Sequence, residues 1–128
     1  MTAPRILFLD DAPERRSKFI ERVPHGHCVE NAADCIAKLA EPWDVVFLDH
    51  DLGGEVHSDP AGDNTGSAVV RWVAANRPRV RCFVVHSLNT PAGTAMVRDL
   101  QDAGYEAAYL PWAWMRADTI LRQSGVTA

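Results

Sequence analysis

The chain has 128 residues, 47% of them hydrophobic and 23% charged, the balance of a soluble globular domain long enough to bury a core. A net charge of −4 excludes a general basic field for nucleic acid, while the clustering of Arg77, Arg79 and Arg81 allows a small basic patch on one face. No apolar run approaches the ~20 residues of a membrane helix, no signal peptide precedes Asp10, and Cys28, Cys35 and Cys82 lack CxxC spacing, so no membrane partner and a reducing, cytoplasmic location are expected.

Ile6-Leu7-Phe8-Leu9 is an unalternated apolar run ending at Asp10-Asp11, as expected of a strand buried on both faces. Pro13 suits the first position of a helix, and Glu14–Val23 carries Phe19, Ile20 and Val23 at helical spacing. His27–Asn31 is a short strand candidate, and Ala33–Leu39 a second helix stopped by Pro42. Asp44–Asp49 is the clearest strand, followed by His50-Asp51-Leu52-Gly53-Gly54 and a polar stretch to Asn64. Thr65 or Asn64 caps a helix over Gly66–Asn76, with Val69, Val70 and Val73 inward. Val80–Val85 is a buried strand leading to His86-Ser87-Leu88-Asn89. A helix over Pro91–Ala103, a strand over Tyr105–Leu110 and a final helix over Met115–Gln123 complete the series. Strands alternating with helices in this way predict an α/β fold, a (βα)5 flavodoxin-like three-layer sandwich with parallel sheet order 2-1-3-4-5.

Ligands of open α/β sheets bind beyond the carboxyl ends of the strands, where strand order reverses. In this order that point lies between strands one and three, so Asp10, Asp11, Asp49 and Asp51 converge there. Carboxylates held close repel, and a hard divalent cation with oxygen ligands, Mg²⁺ or Mn²⁺, is the natural compensation. The alternative is that these residues are solvated turns and caps.

The Asp10-Asp11 pair, Asp49 after the third strand, Ser87 after the fourth and Pro111 after the fifth resemble a response-regulator receiver domain over nearly the whole chain, read as one domain spanning residues 1–128. The resemblance implies that Asp10 and Asp11 bind the metal, Asp49 accepts a phosphoryl group and Ser87 contacts its oxygens. Gly66 stands where receivers often have a Gly opening the third helix. Two departures stand out. The receiver's Lys before the Pro is Leu110 here, and the loop after the third strand is lengthened and holds Glu55, His57, Asp59 and Asp63. Leu48-Asp49-His50-Asp51-Leu52 with His86-Ser87-Leu88-Asn89 resembles more closely the receiver-related group that processes cyclic phosphates. Haloacid-dehalogenase phosphatases are set aside, since one residue separates their two aspartates whereas Asp10 and Asp11 are adjacent.

Two histidines, His50 and His86, follow neighbouring strands and are read as side by side at the pocket rim, where a neutral and a charged imidazole would serve as base and acid. Strand parity argues the other way: Asp49 and Asp51 share a face opposite His50, and His86 opposes Ser87. Arg15, one helical turn after Asp11, is placed to reach back, and it joins Ser87 and Asn89 as a candidate phosphate contact. Trp112 and Trp114 read as packing for the last helix. Asp49, His50, His86 and Ser87 are thus the candidate catalytic residues. A metal-dependent phosphoesterase acting on a cyclic phosphate, either a small molecule or a nucleic-acid end, is the leading reading. A receiver phosphorylated on Asp49 by a histidine kinase and a non-catalytic binding module are the alternatives. The oligomeric state is not legible.

Overall fold

The computed structural model describes residues 4–52, 59 and 61–111. Within them, β1 (Ile6–Leu9), α1 (Pro13–Arg22), β2 (His27–Val29), α2 (Ala32–Lys38) and β3 (Trp43–Leu48) are followed by α3 (Gly66–Asn76), β4 (Val80–Val85), α4 (Thr90–Asp102) and β5 (Glu106–Tyr109). The sheet is parallel throughout, in the expected order β2-β1-β3-β4-β5. The expected final helix, Trp112, Trp114, Glu55 and His57 lie outside the described residues. Among the described residues no helix is long and apolar enough to cross a membrane.

β1 and β3 are apolar without alternation because helices cover both of their faces. Every residue of Ile6–Leu9 is buried, and the edge strand β5 alternates exposed with half-buried positions instead. Side-chain parity divides the core in two. Leu7, Leu9, Val46, Leu48, Phe83 and Val85 pack with α2, α3 and α4. Ile6, Phe8, Val45, Phe47 and Val84 pack with Phe19 of α1 and with Val23, which ends it. On that second face Phe8 stacks on Phe19 at 4.3 Å between centroids, and Phe47 meets Phe19 edge-on at 5.6 Å.

Local chemistry fixes the helix starts. Pro13 opens α1, while Asn31, Thr65 and Asn89 cap α2, α3 and α4 by accepting from Asp34, Ala68 and Ala92 N–H groups. Thr65, rather than Asn64, is the α3 cap; the Asn64 side-chain Oδ1 instead accepts from the Ala32 N–H at 3.0 Å. Helix α3 ends with Arg77 in the left-handed region, φ 53°. Arg77 lies over the Tyr105 ring and Arg81 reaches Asp44, so two members of the basic cluster already have partners within the chain. Burial pushes the Cys28 thiol up to about 11 and Cys35 up to about 12, as for idle thiols.

Candidate functional site

The residue that follows each of β1, β3 and β4 continues the parity of the α1 face, the face of Phe8, Phe47 and Val84. These residues are Asp10, Asp49 and His86, and the backbone lines them up: Asp49 N–H donates to the Leu9 carbonyl and His86 N–H to the Leu48 carbonyl. Leu110 N–H donates to the Val85 carbonyl and extends the row by one place. Its side chain packs with the same apolar cluster. The carboxyl ends of four adjacent strands thus present carboxylate, carboxylate, imidazole and aliphatic groups in sequence. One ligand atom from each of Asp10, Asp49 and His86 lies within 4.8 Å of the others, and all three residues are buried.

Asp10 is fully engaged. Its Oδ1 accepts from the Ala12 N–H at 2.9 Å, and its Oδ2 lies 3.0 Å from His86 Nε2 and 2.8 Å from Arg15 Nε. Burial alone would push its pKa up. The hydrogen bond and charge of His86, the Ala12 N–H and Arg15 more than offset that, and the carboxyl ends below its ordinary value. As a carboxylate it can only accept, so His86 Nε2 carries the proton in this pair. The imidazole is held from its flat side as well, stacked on Phe8 at 4.7 Å and 9°. Asp49 differs. Its Oδ2 is buried without a hydrogen-bond partner, 3.6 Å from Arg15 Nη2. Burial, with the neighbouring Asp10 and Asp11 charges, pushes the Asp49 carboxyl up to about 6, against the pull of His86 and Arg15.

The sequence-predicted residues separate along these lines. Asp10, Asp49, His86 and Arg15 come together. Asp11 and Asp51 stay outside the ligand cluster, although the charge of Asp11 still acts on Asp49 and Arg15. Asp51 pairs through its backbone with Thr65. The side-by-side placement of the two histidines is corrected: they occupy opposite faces, and both are buried rather than at a rim. His50 Nδ1 lies 3.0 Å from Ser67 Oγ on α3, and its carbonyl accepts from Gly66 N–H. Ser87 follows the parity of Val85, not of His86. Its Oγ accepts from the Asn89 N–H. Asn89 spends its carbonyl oxygen on capping α4. The physical cause is the two-residue period of a strand, which continues one position past each strand end.

Supporting residues escaped the sequence reading. Phe8 holds the His86 ring, and Arg16 donates to the Asp10 carbonyl at 2.9 Å. Tyr109 donates to the Ser87 carbonyl at 2.7 Å. Gly66 is required by proximity, since a Cβ there would sit 2.0 Å from the Asp49 carbonyl oxygen and 2.7 Å from Met96 Cε. Phe8 was legible as the residue two before Asp10 on the same face, and Gly66 was already marked by the family resemblance; Arg16 and Tyr109 have no signal in the sequence.

The donor set fits a divalent cation. Asp49 Oδ2 is a buried oxygen without a hydrogen bond, adjacent to the Asp10 carboxylate, and paired carboxylates suit Mg²⁺ or Mn²⁺.

Solved structures with this fold include a response regulator from Colwellia psychrerythraea, 12% identical, with 97% of this chain and 96% of that one covered at a TM-score of 0.64. The signal receiver domain of an HD domain-containing protein from Pseudomonas fluorescens Pf-5 is 16% identical over 96% and 94%, with a TM-score of 0.64. That of a modulated diguanylate cyclase from Desulfovibrio desulfuricans G20 is 15% identical over 95% and 90%, with a TM-score of 0.60. No curated protein shows a significant sequence match to the chain. The family profile described as the cyclic-phosphate processing receiver domain matches residues 5–102, a span that holds Asp10, Asp49 and His86 as well as His50 and Arg15. The sheet order, the buried acidic row and this match agree, and the chain belongs to the cyclic-phosphate-processing receiver domains.

Proposed function

We propose that the pocket is a metal-dependent phosphoesterase site that opens cyclic phosphate esters, on a small molecule or a nucleic-acid end. The observation that carries this reading is His86. It stands in the row with the two carboxylates, anchored by Asp10 through Nε2 and stacked on Phe8. Asp10 and Asp49 would hold Mg²⁺ or Mn²⁺, which when bound would offset charge on the phosphoryl oxygens and lower the pKa of a bound water. Asp10 holds the His86 imidazole in one tautomer and one orientation. With Nε2 fixed on the carboxylate, the Asp10–His86 pair is the acid–base unit of the pocket in this reading. His50 is a structural residue in this reading, tying the end of β3 to α3 through Ser67.

The test is hydrolysis of a 2′,3′-cyclic nucleotide phosphate with Mg²⁺ or Mn²⁺. His86→Asn is expected to lose at least ~100-fold in kcat/KM, the lower end of what general acid–base catalysis supplies. Asp10→Asn is expected to need far more metal, and His50→Asn to melt earlier while folded enzyme keeps its turnover. A wild type inert toward a panel of cyclic and linear phosphoesters with either metal refutes the enzyme reading.

One observation supports a second reading, a receiver phosphorylated on Asp49 by a histidine kinase: its Oδ2 has no hydrogen-bond partner to give up. Against it, Leu110 fills the row position that the receiver's Lys would need. Covalent labelling by acetyl phosphate, abolished by Asp49→Asn, would favour the kinase partner over the ester substrate.

A further inference from the structure

Asp10 and Asp49 already have a cation between them. Arg15, in the first turns of α1, places Nε 2.8 Å from Asp10 Oδ2 and Nη2 3.6 Å from Asp49 Oδ2. The guanidinium therefore spans the two carboxylates that would hold a divalent ion. Its hold rests on one close contact, the approach of Nε to Asp10 Oδ2. Nε is buried without a hydrogen bond of good geometry, Asp49 Oδ2 accepts none, and no bidentate fork forms on either carboxylate. Exposure rises outward along the group: the side chains of Asp10, Asp49 and Arg15 are 0%, 6% and 25% exposed. Arg15 therefore lies on the solvent side of the carboxylates and has a way out. Its neighbour Arg16 is differently committed, to the Asp10 carbonyl and to Glu30.

We propose that Arg15 is the resident cation of this pocket and that a divalent metal binds Asp10 and Asp49 only by displacing its guanidinium. This rests on the reading that the two carboxylates hold a metal. A compact dication that keeps several waters needs the volume the planar guanidinium fills, so both cannot occupy it. Metal affinity is then lowered by the fraction of molecules in which Arg15 is seated. The exchange also moves a positive charge to the pocket mouth, where an anionic ester arrives, which gives the phosphate contact expected of Arg15 a condition: the metal must be in place first.

Calorimetric titration of Mg²⁺ into the metal-free full chain tests this directly, with Arg15→Gln compared with Arg16→Gln, which removes the same charge one residue away. A charge-assisted contact corresponds to roughly a tenfold to hundredfold effect. Arg15→Gln should therefore tighten Mg²⁺ by about tenfold or more, and Arg16→Gln by about threefold or less through general electrostatics. The gain in Tm on adding Mg²⁺ should also be larger in Arg15→Gln than in wild type. Equal or weaker binding by Arg15→Gln overturns the exchange, as does equal tightening by Arg16→Gln. If wild type binds Mg²⁺ and Arg15→Gln binds it no better, the exchange alone falls. If neither binds at millimolar Mg²⁺, the metal site falls and takes the exchange with it. Should Arg15→Gln not fold, Arg15→Lys decides, because an ammonium cannot span both carboxylates. Tightening by about threefold or more supports displacement, and an unchanged affinity overturns it.

Discussion

Replacing Asp49 with Asn in the absence of metal should stabilise the protein at neutral pH and lose that benefit on acidification. Burial raises this carboxyl from 3.8 to about 6 in the folded chain. Between those values the folded state keeps a proton that the unfolded state has released, so wild-type stability falls as pH rises through the window and levels off above it. A shift of about 2 units is worth roughly 3 kcal/mol in full. Between about pH 4.5 and about pH 7.5 the part expressed is about 2 kcal/mol, because the unfolded carboxyl is already mostly ionised at the lower end. Asn has no charge to desolvate, so the stability difference between Asp49→Asn and wild type should grow by about 2 kcal/mol over that interval. Taking the difference between two pH values cancels whatever the amide gains or loses by shape and hydrogen bonding. Urea unfolding in chelator, followed by circular dichroism, supplies the measurement. A difference that is flat with pH, or that grows toward acid, refutes the argument that desolvation dominates at Asp49. Added Mg²⁺ should shrink it in wild type by compensating the charge.

Gly66→Ala should destabilise by about 2 kcal/mol or more, because its Cβ would strike the Asp49 carbonyl, a backbone atom with little room to move; thermal melts check this. Tyr109→Phe should cost about 1 kcal/mol in urea unfolding, since the Ser87 carbonyl loses its 2.7 Å donor. Phe8→Leu should lower stability by about 1–3 kcal/mol and shift the pH profile of ester cleavage, because the His86 ring loses its stacking face. An unchanged profile in folded Phe8→Leu would show that Asp10 alone orients the imidazole.

The unalternated runs Ile6–Leu9 and Val45–Leu48 determined by themselves that the sheet is parallel and covered on both faces, since alternation disappears only when neither face meets water. Proline and cap residues likewise bounded the helices to within a residue or so, because those effects are local. The acidic crevice followed from topology, as strand order fixes which strand ends are neighbours. Parity carried the reading further than family likeness did: it separated His86 from Ser87 and His50 from Asp49. The tertiary structure decided what parity leaves open, namely which atoms meet. Nothing in the spacing of Arg15 and Arg16 says that one spans two carboxylates while the other caps a carbonyl, because the pitch of α1 against the sheet makes that choice. Nor does the sequence distinguish Asp10 from Asp49, two aspartates at matching strand ends. One is held ionised by His86, the Ala12 N–H and Arg15; the other, as deeply set and with a carboxylate oxygen lacking a hydrogen bond, is pushed up to about 6. Desolvation and partner geometry are properties of the packed neighbourhood, and they exist only once strands from distant parts of the chain lie side by side.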